Sequence, residues 1–352
     1  MLKRVFIHAT NIHQGGGKLL LATLMDACAN GLKVIAQFDK RMNLPLSSIS
    51  ENITIKYVEP FVHQRLHAEW WLRQNVRAQD IVLCFGNLPP LFKLRGHVIV
   101  FVQNRYLVNQ KKLEGFSFKT RLRIQMERLW LSKIAHHADE FIVQTPSMRA
   151  DLLSSGCVVT QPVHIRPFTD ILGGYQRTRP YGETSPEHKQ YDFVYVASGD
   201  PHKNHRRLIE AWCLLAQQGI FPSLCLTLDE KQFGALWNWI NKLKLDFGLK
   251  LENLDSISHG QVLWLYTQTH ALIYPSTFES FGLPLIEARQ AGLPILASEL
   301  DYVRDILDPE QTFNPESPAS IARAVKRFMR IDEKPLPLLN AKDFIQRILE
   351  KT

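Results

Sequence analysis

Long hydrophobic runs are missing from this chain of 352 residues. None approaches the ~18–20 apolar residues of a membrane span, so no transmembrane segment is expected. The first stretch, MLKRVFIHATNIHQGGG, has too short an apolar core for a secretory leader and reads as a strand followed by a turn. Cysteine is scarce. Cys28, Cys84, Cys157, Cys213 and Cys225 form no CxxC pair and no metal-ligand spacing. Reduced core thiols in a cytoplasmic protein are the expectation, with no metal site. A GxGxxG fingerprint and a P-loop are both absent, which disfavours a Rossmann dehydrogenase and a P-loop enzyme. No helix-turn-helix, zinc or RNA-binding signature accompanies the basic residues, so nucleic acid is not an expected partner.

What is present is the composition of a globular protein, 45% hydrophobic and 22% charged. The length favours two domains over one core. The net charge of +8 is unevenly spread. Residues 1–170 carry 22 Lys and Arg against 12 Asp and Glu, whereas the remainder carries 20 against 22. A basic first half implies an anionic partner, such as an acidic lipid surface or a phosphorylated substrate.

Short apolar strands with polar loops at their carboxyl ends alternate with helical segments, the pattern of a parallel α/β fold. In the first half the expected strands are 5–9, 34–38, 53–57, 80–85, 98–102 and 140–143. Thr10 to Gly17 reads as a Gly-rich loop, and Lys18 to Ala29 as the helix after it. Residues 173–190 are rich in Gly and Pro and read as a linker. A second α/β series follows, with strands expected at 193–197, 224–228, 254–257, 271–274 and 295–297. The expected organisation is therefore a first Rossmann-like domain at 1–172, the linker, a second such domain at 191–340, and a C-terminal helix at 341–352 that packs back on the first domain. Two such domains face each other across a cleft.

The segment KKLEGFSFKTRLRIQMERLWLSKI, residues 111–134, holds seven basic and two acidic residues. Leu122, Met126 and Leu129 share one helical face. That face either packs on the core beneath a solvated basic side or lies on an anionic membrane surface.

Three polar loops carry chemistry. The strand ending at Tyr274 runs into Pro275-Ser276-Thr277-Phe278-Glu279-Ser280-Phe281-Gly282-Leu283, and Pro284 suits the first turn of a helix that carries Glu287. A loop at the carboxyl end of a parallel strand is a ligand position, and a helix N-terminus there is an anion site. Carboxylates repel phosphate but accept from vicinal hydroxyls, so Glu279 and Glu287 point to a sugar. Between another strand and helix lies Ser198-Gly-Asp-Pro-His-Lys-Asn204, where Lys203 adds a positive charge. His202 and His205 read as polar loop residues rather than metal ligands. The third loop holds Gly15, Gly16 and Gly17, which either make a tight strand-to-helix turn or let the main chain approach a phosphate or acceptor closely.

Four stretches resemble the retaining nucleotide-sugar glycosyltransferases of family 4, which have the two-Rossmann GT-B fold. They are Tyr195 to Asn204, similar to YVGRxxPxKN; Ala271 to Ser276; Glu279 to Glu287, which fits E-x7-E with its Phe-Gly dipeptide; and Gly292 to Ser298. The likeness is specific over about residues 190–305 and weaker before them. It implies that Lys203 neutralises the donor diphosphate, that Glu279 holds sugar hydroxyls near the reacting carbon, and that Glu287 binds the ribose. Ser280, Phe281, Gly282, Leu283, Ser198 and Asn204 would complete the donor site. Gly15, Gly16, Gly17, Gln103 and Asn104 would border the diphosphate and acceptor. No metal or cofactor is implied, because cationic side chains and helix dipoles stabilise the leaving group. Two departures stand out: Ser198 where the family often has Arg, and Gln103-Asn104 where it often has His-Asp. Arg105 is placed to restore a positive charge.

The expected function is sugar transfer from a nucleotide diphosphate to a glycan acceptor in bacterial surface-polysaccharide assembly (O-antigen, capsule or lipopolysaccharide). The acceptor is expected to be lipid-linked and met by a peripheral protein at the inner face of the plasma membrane. A non-catalytic nucleotide-sugar binder and a nucleotide-sugar epimerase are the alternatives.

Overall fold

The structure, a computed structural model, describes residues 4–28, 33–42, 52–109, 111–158, 160–169 and 189–331. Most of the expected linker and all of the expected C-terminal helix lie outside the described residues.

The first half runs β1 (Arg4–Ala9), α1 (Gly15–Ala27), β2 (Lys33–Asp39), β3 (Ile53–Val58), α2 (Val62–Asn75), β4 (Ile81–Cys84), β5 (His97–Phe101), α3 (Arg105–Val108), α4 (Phe118–Ile134), β6 (Glu140–Val143), α5 (Pro146–Ser154) and β7 (Val163–Ile165). The second runs β8 (Tyr191–Tyr195), α6 (His205–Gln217), β9 (Leu224–Leu226), α7 (Gly234–Phe247), β10 (Leu251–Asn253), α8 (His259–Thr267), β11 (Thr269–Tyr274), α9 (Leu283–Gln290), β12 (Ile295–Ser298), α10 (Asp301–Arg304), β13 (Gln311–Phe313) and α11 (Pro318–Phe328).

Two parallel sheets result, as the alternating pattern requires. Their orders are β3-β2-β1-β4-β5-β6-β7 and β10-β9-β8-β11-β12-β13. The central strands are apolar because helices cover both faces. Phe193, Val194 and Tyr195 of β8 and Ala271 to Tyr274 of β11 are buried. In the first sheet, Leu20, Leu21 and Met25 of α1 pack on one face, and Leu72 of α2 with Ile124 and Leu131 of α4 pack on the other.

The topology decides where the site lies. Each sheet reverses its winding direction at one place, between β1 and β4 in the first and between β8 and β11 in the second. The crevice outside such a switch point is where open α/β sheets bind ligands. The Gly15–Gly17 segment follows β1, the Ser198–Asn204 loop follows β8, and the Glu279 loop follows β11. All three chemical loops therefore leave switch-point strands.

Four local features differ from the sequence reading, were missed by it, or were left open by it. Gly15, Gly16 and Gly17 form the first turn of α1 rather than the end of a loop. The strand expected at 254–257 is β10, Leu251–Asn253. Strands β7 and β13 have only three residues each, too few for a period to show. The apolar face of α4 does not meet the core: Phe118 is 81% exposed, Leu122 47%, Met126 63% and Leu129 59%. Ile124 and Leu131, seven residues apart, form the inward stripe instead.

Candidate active site

The second-domain wall is built on β11. Pro275 and Ser276 end the strand, and Gly282 starts α9 from the left-handed region, at φ 68°. A side chain is strained there, and a Cβ would come within 3.1 Å of Leu285 Cδ1. Pro284 stands in the first turn of α9, as expected. Between strand and helix, Glu279 turns inward until its side chain is only 11% exposed. Three donors converge on its Oε1: Lys203 Nζ at 2.6 Å, Ser276 Oγ at 2.6 Å and Tyr274 Oη at 3.0 Å. Burial works against ionising this carboxyl, but the Lys203 ammonium and the Ser276 hydroxyl outweigh it and hold the pKa below the usual range. Among the described residues no hydrogen bond engages Oε2 of Glu279, so it is the oxygen left for a ligand hydroxyl.

Behind this carboxylate stand three buried tyrosines that pin the loops. Tyr195 donates to the Lys203 carbonyl at 2.6 Å, Tyr302 donates to the Ser276 carbonyl at 2.8 Å, and Tyr274 reaches Glu279 itself. The rings of Tyr195 and Tyr274 lie 5.8 Å apart, edge to face. Burial beside Glu279 raises the pKa of all three, so they remain neutral donors. One turn along α9, Glu287 is buried. His259 meets its Oε1 at 3.1 Å and Tyr266 donates to its Oε2 at 3.4 Å.

The loop after β8 sorts its residues differently from the sequence expectation. Lys203 joins Glu279 directly. Asn204 takes a left-handed conformation, at φ 61°, and donates both amide protons to main chain, to Pro275 at 3.1 Å and Pro315 at 2.8 Å. It is the tie that holds this loop to the end of β11. Ser198 donates to Asp200 at 2.7 Å, so its hydroxyl proton is spent inside the loop. Gly199 is required by Phe233, whose ring would lie 2.4 Å from a Cβ. His205 is buried against Tyr195, and burial with the Lys203 charge pushes its pKa down to about 3.

The first-domain wall meets this one closely. Leu283 packs against the core around α1, and a Cβ on Gly16 would lie 2.8 Å from Leu283 Cδ1. Gly17 faces Gln103, whose Oε1 would be 3.4 Å from a Cβ there. Gln103 donates its amide to the Phe85 carbonyl at 2.9 Å. Asn104 is the N-cap of α3 and accepts from the Tyr106 N–H at 3.1 Å, which turns its oxygen toward its own helix. Arg105 is the residue of this trio that crosses the cleft. It donates to the Glu279 carbonyl at 3.2 Å and pairs with Asp151 at 2.6 Å. The Arg105 guanidinium and the Lys111 ammonium each lie 4.9 Å from the centre of the Phe278 ring, and Tyr106 packs on it at 4.6 Å.

The structure thus brings together Glu279, Lys203, the Gly282 turn, Gly16, Gly17 and Gln103, with Glu287 on the adjoining helix. It assigns Ser198, Asn204 and Asn104 to local hydrogen bonding, and it supports Ser280 by a 3.5 Å contact from Thr145 to its carbonyl. Sequence reasoning missed Tyr195, Tyr274, Tyr302, Ser276, His259 and Tyr266. Nothing in their spacing along the chain links the tyrosines to Glu279 or Glu287. Among the described residues, no group of three or more His, Cys, Asp or Glu side chains is gathered in a metal-ligating arrangement.

Known proteins resemble this chain in sequence and in fold. Residues 182–341 match the family model of glycosyl transferases group 1. The chain is 27% identical over 226 residues to the serotype-specific mannosyltransferase WbdA of Escherichia coli, across 58% of this chain and 27% of that protein. It therefore spans about a quarter of the length of that curated relative. Among solved structures, Anabaena HepE in complex with UDP-glucose superposes with a TM-score of 0.68 at 14% identity, over 93% of this chain and 89% of that one. The lipopolysaccharide outer core galactosyltransferase WaaB superposes with a TM-score of 0.60 at 16% identity over the whole of both chains. These likenesses share the two-domain GT-B scaffold, and residues 182–341 of this chain are similar to the glycosyl transferases group 1 family.

Proposed function

We propose that the protein is a retaining glycosyltransferase that moves a hexose from a nucleotide diphosphate to a glycan acceptor in bacterial surface-polysaccharide assembly. The observation that carries the reading is the cleft itself. A buried carboxylate paired with Lys203 lies at the N-terminus of α9, and the glycine turn of α1 abuts the same loop.

In this reading Lys203 and the free N–H groups of the first turn of α9 meet the departing diphosphate, and this preorganised positive charge takes the place a metal would fill. Glu279 accepts a donor-sugar hydroxyl through Oε2, held in place by Tyr274 and Ser276. Glu287, oriented by His259 and Tyr266, accepts from the ribose hydroxyls. Gly16, Gly17 and Gln103 border the reacting centre from the first domain, and Arg105 fixes the main chain of the donor loop. Retention follows from attack on the face the diphosphate leaves, with Glu279 stabilising rather than bonding to the sugar. The mannosyl and galactosyl relatives fit this chemistry, and HepE holds UDP-glucose on the same fold.

The acceptor side reads as a membrane surface. No helix among the described residues is long and apolar enough to cross a bilayer. Yet α4 presents Phe118, Leu122, Met126 and Leu129 to solvent beside Lys119, Arg121 and Arg123, and α2, on the same face of the sheet, exposes Val62, Leu66 and Trp70. Apolar side chains ringed by cations suit peripheral attachment to the anionic inner leaflet and a lipid-linked acceptor.

A panel of nucleotide sugars tests the function, with donor consumption and acceptor-dependent product followed by mass spectrometry. One donor is expected to be consumed with acceptor, and Glu287→Gln is expected to raise its KM at least tenfold. Nucleotide binding without turnover on any acceptor would convert the protein to a non-catalytic binder, and donor conversion without acceptor would make it an epimerase.

A further inference from the structure

A second cationic cluster lies on the first domain, away from the Lys203 wall. Asp39 closes β2 and is fully buried, and two guanidiniums surround it. Arg41 grips it with Nε at 2.9 Å and Nη2 at 2.6 Å, and Arg65, from α2, reaches it at 3.3 Å. Two positive charges on one carboxylate leave one in surplus. Of the neighbouring charges, Lys40 is committed to Glu59, and Glu127 faces both Arg123, at 3.9 Å, and Arg65, so Arg41, Arg65 and Arg123 against Asp39 and Glu127 still leave one positive charge in surplus. Arg41 and Arg65 remain 46% and 38% exposed, so a ligand can reach them. The Nε of Arg65 is buried without a hydrogen-bond partner. A guanidinium carries several N–H donors, so the exposed part of each side chain can still meet an anion. His13, just before α1, accepts from Arg41 Nη2 through Nδ1 at 3.3 Å, which puts its proton on Nε2 and makes the ring a donor.

We propose that Arg41 and Arg65, with His13, form an anion subsite for a phosphate or diphosphate ester carried by the acceptor. The inference rests on the function proposed above and names the acceptor's chemistry. The donor diphosphate has its cation on the other wall, so this cluster is left for a second anion. Its position agrees. It sits at the carboxyl ends of β1 and β2, beside the glycine turn that faces the donor loop. Arg65 also belongs to α2, which exposes Phe61, Val62 and Leu66. A prenyl chain leaving the ester along that helix would find an apolar surface, and its sugar would point to the cleft. Guanidinium forks suit phosphate oxygens better than an ammonium does.

Inorganic pyrophosphate is the probe, titrated calorimetrically into the full chain. Two sites are expected, and each weakens as salt rises. Lys203→Met should remove one. Arg65→Gln, which leaves the Arg41–Asp39 pair intact, should weaken the other at least tenfold, with a melting temperature close to that of the parent. Arg41→Gln serves as a second variant. A single site abolished by Lys203→Met, or two sites unaffected by Arg65→Gln and Arg41→Gln, would overturn the subsite. A short prenyl diphosphate in detergent then separates the sources, since tighter binding than pyrophosphate marks a lipid ester and equal binding marks a soluble one. Loss of nucleotide-sugar binding would instead defeat the functional reading, because that depends on Lys203 and Glu287 and not on Arg65.

Discussion

Replacing Lys203 by Met should turn the ion pair at the centre of the cleft into a buried, unpaired carboxylate. The pair is short and well shielded, 2.6 Å with side-chain exposures of 17% and 11%. Breaking such a pair on one side costs about 3–5 kcal/mol, because the remaining charge stays out of water. For a domain of this size each kcal/mol moves the melting temperature by ~2–4 °C, so a fall of roughly 6–20 °C is expected. The pH dependence identifies the cause. In the parent the Glu279 pKa is depressed, so its contribution is present above the ordinary value of 4.5 and is lost as pH falls through the folded value. Without Lys203, burial, already the largest single influence, loses its main opponent and the folded pKa rises. The deficit of the variant should therefore be small below pH 4.5, grow as pH rises, and level off above the new pKa. Adding Glu279→Gln removes the stranded charge, and the double variant should regain most of the loss. Scanning calorimetry across pH 4 to 8 reads the parent, Lys203→Met, Glu279→Gln and the double variant. A deficit independent of pH, or a double variant no more stable than Lys203→Met, would refute the reasoning and reduce Lys203 to a packing residue.

Two further outcomes follow from the first domain. His8 is buried between Gln37 Oε1 at 2.8 Å and Glu69 Oε1 at 2.9 Å, and Gln37 donates its amide to the Ala68 carbonyl, so both imidazole nitrogens face acceptors and the ring is an imidazolium. Burial opposes that charge, but Glu69 prevails and raises the pKa; the stabilisation is complete below 6.5 and should fade as pH rises through the folded value, while Glu69→Gln costs about 1.5–3 kcal/mol by denaturant titration and flattens the alkaline decline. On the exposed helices, reversing Lys119, Arg121 and Arg123 to Glu should remove most sedimentation with anionic liposomes; unchanged sedimentation would leave the α4 surface without its proposed lipid partner.

How much of this was legible in the sequence depends on how local each signal is. The strand, loop and helix around Glu279 and Glu287 lie within 20 residues, so turn residues and periodicity sufficed. The alternation of apolar strands with helices gave the parallel sheets for the same reason. Contacts between distant residues left no such trace. Lys203 and Glu279 are 76 positions apart, and their direct pairing comes from β8 and β11 being neighbours. Tyr195 and Tyr274 end apolar strands and Tyr302 lies on α10, and none of those positions says where a hydroxyl will reach. Asn204 read as a ligand residue, whereas its positive φ and two main-chain acceptors make it a fastening. On α4 both faces carry apolar residues, and periodicity alone did not say that Ile124 and Leu131 would be the ones turned inward.

The direct contact between Lys203 and Glu279 changes the reading of the site in one respect. In the sequence, Lys203, facing a diphosphate, and Glu279, facing sugar hydroxyls, read as separate groups. In the structure each group already neutralises the other, and the loops that carry them are fastened by Tyr195, Tyr302 and Asn204. An empty cleft with both charges unpaired would bury a carboxylate at a cost of several kcal/mol. Pairing them removes that cost without occupying every position. Lys203 has three protons and uses one on Glu279, and Glu279 keeps Oε2. A nucleotide sugar arriving in the cleft can then be held by the two unused N–H donors and the unused oxygen at once. In the proposed function, phosphate and hydroxyl would be read by one preformed ion pair, whose geometry binding need not rebuild. That preorganisation is what makes electrostatic stabilisation of a leaving diphosphate effective.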